Sequence, residues 1–216
     1  LSCSPLRRSW PDQLPPSSPT GASAPDALRS AGLEPEALRW VILSHAHVDH
    51  AGGLVDLPRA PVLIPQAEID FFAAASGSVA VVPAQARALA GRTTALRFRP
   101  VPYEVFDESA DVFGDGAIVV VALSGHTPGS VGTFVNVSAT QRFFHVGDAV
   151  NVLSAVVERR TKSVVMAGTD HDPERADAVV AQLAQLHAAD PSIHILPAHD
   201  RAAWQSAFGA PSHCVQ

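Results

Sequence analysis

The 216-residue sequence predicts an α/β fold of packed sheet and helix layers, and three observations carry that expectation. From residue 26 onward, short apolar runs of strand length alternate with segments of helical period. Hydrophobic residues make up 47% of the chain and charged residues 17%, a balance that favours a packed core over disorder. Clusters of His, Asp and Gly follow several of the apolar runs, and in α/β proteins sites collect at the carboxyl ends of strands.

The elements are expected as follows. Residues 1–25 hold six prolines and six serines without periodicity and read as a disordered or non-native lead-in, which leaves 26–216 as one domain. Asp26 to Arg39 reads as helical, interrupted near Gly32 and restarted at Pro35. The run Trp40-Val41-Ile42-Leu43 suits a strand buried on both faces. A short helix follows and stops at Pro58, and Val62-Leu63-Ile64 forms a second strand. Helices are expected over Gln66 to Ala75 and Pro83 to Ala90. Gly114-Asp115-Gly116 marks a hairpin between Ala110–Phe113 and Ala117–Ala122. Val131–Val137, Arg142–Val146 and Ile193–Leu196 are further strands. Pro173 to Ala188 is a helix capped by Asp172, with Ala176, Val179, Val180, Leu183 and Leu186 on one face. Residues 149–171 lack periodicity and read equally as a plain connection or a loop over a site.

Composition excludes several classes. No apolar run approaches the roughly 18 residues that span a bilayer, so no membrane role is expected. The net charge of −6 argues against a nucleic-acid partner. Cys3 and Cys214 are too few for a disulfide framework or a cysteine-rich metal site. Lys162 is the single lysine against fourteen arginines, a bias that reads as GC-rich, bacterial coding. The chain opens on Leu1 with no apolar segment after Arg7-Arg8, so a cytoplasmic location is expected and a processed or incomplete start is noted.

The ten histidines are the informative excess. In Ser44-His45-Ala46-His47-Val48-Asp49-His50-Ala51-Gly52-Gly53, four metal-ligand types fall within six positions directly after a strand. Residues two apart on an extended chain point the same way, so His45 and His47 can grip one ion together. Asp49 and His50 come as the chain turns into a helix and can serve a second position. Imidazole nitrogen and carboxylate oxygen suit a borderline ion such as zinc. Ser124-Gly125-His126-Thr127-Pro128-Gly129-Ser130, Gly147-Asp148 and Pro197-Ala198-His199-Asp200 each follow a strand and add candidates. His145 is expected on the face of its strand opposite Asp148, and His187 and His194 read as surface or packing residues. His171 is a possible neighbour of the site mouth, although helix capping explains its segment better.

HxHxDH, then GHTPGS, then GD, then a late strand ending in His resembles the motif series of the metallo-β-lactamase superfamily, over about residues 26–205. The resemblance implies a four-layer αββα sandwich with two metals at one edge of its sheets. It implies that His45, His47 and His126 hold the first ion, that Asp49, His50 and His199 hold the second, and that Asp148 bridges them. The implied cofactor is two zinc ions, with iron or manganese as alternatives. The implied chemistry is hydrolysis of a small ester, lactone or thioester by a metal-bridging hydroxide, with Asp49 orienting it and accepting its proton.

The sequence also departs from parts of that family. No cysteine lies near Asp148, unlike many true β-lactamases, and the seventeen residues after His199 leave no room for the helical domain of glyoxalase II enzymes. Acyl-homoserine-lactone lactonases place a tyrosine between the GD motif and the last histidine, whereas the only tyrosine here is Tyr103. Phosphodiesterase, iron-dependent sulfur dioxygenase and an inactive fragment are the alternatives. Only 44 residues precede His45, so the first sheet is expected to be short of strands, with an exposed edge at which a second copy can pair.

Overall fold

The computed structural model describes residues 23–57, 59–74, 87–162 and 168–208. Most of the proline-rich lead-in, the first half of the helix expected over residues 83–90, both cysteines and His213 lie outside the described residues.

The first half of the chain builds a parallel sheet. Helix α1 (Ala24–Ser30) opens on a capping box, in which Ser23 and Asp26 satisfy each other's backbone N–H groups. A single 3-10 turn over Pro35–Ala37 leads to strand β1 (Val41–Ile42). Helix α2 (Val48–Ala51) runs directly into a 3-10 turn over Gly52–Asp56. Strand β2 (Val62–Pro65), helix α3 (Gln66–Ala74) and strand β3 (Thr93–Leu96) complete this half. The sheet order is β1-β2-β3 with every pairing parallel, which requires crossovers between its strands.

The expectation of a doubly buried first strand is not met. Val41 and Ile42 are half-buried, while all four residues of β2 are buried. The reason is position, since β1 lies at an edge of the sheet among the described residues and β2 lies between two partners.

The second half is mostly antiparallel. Strands β4 (Ala110–Asp111), β5 (Ile118–Ala122), β6 (Val131–Ser138), β7 (Gln141–Gly147) and β8 (His194–Pro197) pair in chain order. The β4–β5 turn forms where the glycines indicated, and Asp111 accepts from the backbone N–H groups of Phe113, Gly114 and Gly116. Only β8 joins in parallel, because the chain returns to it through helices α4 (Leu153–Val157) and α5 (Pro173–Ala189). Asp172 caps α5 by accepting from Arg175 N, as its sequence indicated. Helix α6 (Arg201–Phe208) follows β8.

The packing clusters define four layers. Phe72 of α3 packs with Val62 and Ile64 of β2 on the outer face of the first sheet. Val120 and Val131 meet Ile42 and Leu96 between the two sheets. Val119, Val121, Phe134 and Phe144 face Val179, Val180, Leu183 and Leu186 of α5 on the far side. Strand alternation produces this directly, since Val120 points inward between two neighbours that point at α5. The architecture is therefore helix, sheet, sheet, helix. Among the described residues no helix is long and apolar enough to cross a membrane.

Leu183 is completely buried in the α5 layer. Leu183→Ala is expected to cost about 2–5 kcal/mol of unfolding free energy by denaturant titration. A loss well under 1 kcal/mol would show that α5 is not part of the core.

Candidate metal centre

Four strand ends converge at one edge of the two sheets. The loop after β1 carries His45 and His47 and turns into α2 with Asp49 and His50. The loop between β5 and β6 carries His126, the end of β7 delivers Asp148, and the end of β8 delivers His199. Backbone hydrogen bonds join these loops to one another. Val131 N donates to Ser44 O at 2.8 Å, and Ala198 N donates to Gly147 O at 3.0 Å. Gly147 has φ +53°, and a Cβ there would stand 2.7 Å from Ser44 Cβ, so glycine is required for the close approach that presents Asp148.

All seven residues singled out in the sequence are brought together. They form two sets that could each hold an ion: His45, His47 and His126, and then Asp49, His50, Asp148 and His199. Within each set the ligand atoms lie within 4.8 Å of one another. His126 Nε2 stands 3.0 Å from His47 Nδ1, close to the separation of about 3.3 Å for two nitrogens on one tetrahedral ion at 2.0–2.1 Å. Asp148 lies between the sets, with Oδ1 3.3 Å from His50 Nε2 and Oδ2 3.3 Å from His199 Nε2 and 3.7 Å from His126 Nε2. Asp49 Oδ2 is 3.4 Å from both His50 and His199.

Metal ions fit these residues on the evidence of their unsatisfied atoms. His45 Nε2 is buried without a hydrogen-bond partner, and His50 Nε2 and Asp148 Oδ1 face each other at 3.3 Å without a well-formed hydrogen bond, an arrangement that an ion would relieve. Burial grades across the centre. His45 is 1% exposed and His126 6%, whereas the Asp49 and His199 side chains are 53% and 48% exposed. The three-histidine set is the dry end and the second set is the open one.

The electrostatics follow the same gradient. Burial drives the His45 pKa down to about 2, with nearby His50 adding to the effect. His47 is lowered too, by burial first and then by His126. Burial also opposes a charge on His50, but the Asp148 and Asp49 carboxylates outweigh it and raise its pKa. Burial likewise disfavours ionised Asp148, yet His50 beside it holds the carboxyl well below its ordinary range. His145, half-buried beside the Trp204 ring, is pushed down to about 4 by burial, with His50 contributing.

Three functional neighbours carried no sequence signal that was used. Glu68 of α3 is fully buried and holds both histidine loops. Its Oε1 accepts from Ala46 N at 2.7 Å, and its Oε2 accepts from Thr127 Oγ1 at 2.6 Å and Gly129 N at 3.0 Å. Asp170 Oδ1 lies 2.8 Å from His126 Nδ1 and accepts from Lys162 Nζ at 2.6 Å. Asp170 was visible beside the cap Asp172, and Lys162 as the lone lysine, but nothing in the sequence joined them to His126. His171 is exposed, with its ring 5.5 Å from Phe71, which in turn lies 6.5 Å from His47. Lys162 and Asp170, both from the stretch without periodicity, thus reach the centre. Asn136, in a formal glycosylation triplet, is engaged by Tyr103 Oη and Gly116 O.

The fold and this donor set define a candidate metal centre at a sheet edge, and the metallo-beta-lactamase superfamily model matches residues 11–199. The chain belongs to that superfamily. An N-acyl homoserine lactonase AttM from Rhizobium johnstonii is 24% identical over 193 residues, covering 87% of this chain and 68% of the relative. The N-acyl homoserine lactonase AiiB of Agrobacterium fabrum is 28% identical over 198 residues, covering 89% and 69%. A solved N-acyl homoserine lactone hydrolase with N-hexanoyl-L-homoserine at its catalytic metal centre matches with TM-score 0.64 and 18% identity. That match covers 84% of this chain and 64% of the solved one. The dizinc quorum-quenching lactonase AidC matches with TM-score 0.60 and 22% identity, covering 82% and 62%. The chain thus spans less than two thirds of the length of these solved structures.

Two outcomes follow from the site's packing. Glu68→Gln places an amide donor against groups that themselves donate, so unfolding free energy should fall by about 1–3 kcal/mol. An unchanged melt would remove Glu68 as the tie between the loops. The second outcome concerns metal-free protein. As pH falls through 6.5, the unfolded chain protonates His45, His47 and His145, while the folded chain resists until their lower values are reached. Asp148 acts in the same direction at lower pH, and His50, with its raised value, offsets one of the three histidines. The thermal midpoint should therefore drop between pH 7 and pH 5, and a flat or rising profile would contradict the burial of these imidazoles.

Proposed function

We propose that this chain is a dinuclear zinc-dependent hydrolase of a small ester, with lactones the favoured class and thioesters next. The observation that carries the reading is the pair of adjacent ligand sets with Asp148 between them and buried nitrogens left without hydrogen bonds. The names of the relatives, N-acyl homoserine lactonases, support the substrate class. When bound, two such ions supply Lewis acidity to a carbonyl and acidify a water toward pKa 7.

His45, His47 and His126 would hold the first ion, and Asp49, His50 and His199 the second, with Asp148 shared. Burial keeps His45 and His47 neutral and available as ligands at the dry end, and the open end admits substrate. Asp49, half-exposed and 3.4 Å from both His50 and His199, is placed to orient the attacking water and accept its proton. That proton then passes to the leaving alkoxide, so an ester yields an acid and an alcohol. Tyr103 takes no part, since its hydroxyl is engaged by Asn136 and Arg142.

The test is metal quantification on the purified chain, coupled to a panel of lactones, thioesters, phosphodiesters and β-lactams. Two zinc ions per chain and turnover of a lactone or thioester are expected. Chelation and His47→Ala should each abolish turnover, and Asp49→Asn should lower kcat by about 10²- to 10⁴-fold. Hydrolysis without bound metal, or an unaffected His47→Ala, would refute the proposal. Iron with oxygen consumption would move the chain to sulfur dioxygenation.

A further inference from the structure

The single lysine of the chain is buried beside the centre. The Lys162 side chain is 8% exposed and that of Asp170 is 1% exposed. Lys162 Nζ donates to Asp170 Oδ1 at 2.6 Å and to the backbone carbonyl of Asp148 at 2.9 Å. The same Asp170 oxygen lies 2.8 Å from His126 Nδ1.

A carboxylate oxygen only accepts, so this contact favours the His126 tautomer that carries its proton on Nδ1. Nε2 then keeps its lone pair, and Nε2 is the atom 3.0 Å from His47 Nδ1 and 3.7 Å from Asp148 Oδ2. The usefulness of His126 as a ligand thus depends on Asp170 staying in place. A carboxylate at such depth needs a cation, and removing one partner of a buried pair leaves the other charge uncompensated. Lys162 is that cation, and its second bond ties it to the backbone of Asp148, the residue between the two sets.

We propose that Lys162 is a positioning residue for the metal centre, pinning the Asp170 carboxylate so that His126 presents a free Nε2. Among the described residues Lys162 Nζ hydrogen-bonds to no ligand side chain, and it acts through Asp170. This role rests on the metal-binding reading of the site given above.

The test is the affinity for cobalt(II), measured by competition with a chromophoric chelator on the full chain. Lys162→Met keeps the stem and removes the charge, and is expected to weaken binding about 10- to 100-fold with a changed cobalt absorption spectrum. Asp170→Asn should weaken binding to a similar degree. The double variant should be about as weak as Asp170→Asn alone, because Lys162 acts through Asp170. Wild-type affinity in Lys162→Met, or losses that multiply in the double variant, would overturn the role.

A second measurement needs no variant. Nitrogen-15 NMR of the metal-free wild type should show His126 protonated on Nδ1 and bare on Nε2, and the opposite tautomer would overturn the proposal even if Lys162→Met fails to fold. A wild type that binds no cobalt would instead refute the metal reading, while the tautomer still reports whether the chain orients His126 as described.

Discussion

The centre depends on one buried carboxylate that belongs to neither ligand set. Glu68 reaches from α3 and accepts hydrogen bonds from the loop after β1 and from the loop between β5 and β6. Those loops belong to different sheets, so this side chain, together with the Val131 N to Ser44 O bond, sets the distance between His45 and His47 on one sheet and His126 on the other. Gly129 is tailored to this contact, since a Cβ there would stand 2.4 Å from the Glu68 backbone and side chain. Desolvating a carboxylate is expensive, and the three donors that meet it are what make its depth tolerable.

Around that tie the protein separates two tasks that conflict. Ligands must be neutral imidazoles held close together, which favours a dry, crowded pocket. His45 accordingly sits with ring centroids 4.0–4.8 Å from those of His47, His50 and His126. A reactant must also enter, which favours an open edge, and Asp49 and His199 supply it. Asp148 joins the two environments. It is deep enough to be coupled to His50 and near enough to the surface to meet His199.

Much of this was legible in the sequence, for a physical reason. Ligand types clustered after apolar runs mark strand ends, and parallel and mixed sheets gather those ends at one edge, so four separate segments of the chain could be grouped in advance. The long helix α5 was legible because its apolar spacing, its Asp172 cap and its Pro173 all agreed. What escaped was set by docking. A glutamate within a helix carries no mark of depth, and Glu68 is buried only because α3 lies where both loops can reach it. The run around β1 could not reveal that the strand would sit at an edge, since an apolar run reads alike in either place. Asp170 was overshadowed by the cap two residues later, and Lys162 was absorbed into a compositional bias.

That bias has a practical side. A protein with one lysine has one side-chain amine, and here it is almost wholly shielded and bonded to an acidic partner. An acylating reagent can reach it only when the region around Asp148 and Asp170 opens. The chain therefore carries a built-in clock for the breathing of its own centre, readable by mass as the gain of a single side-chain label.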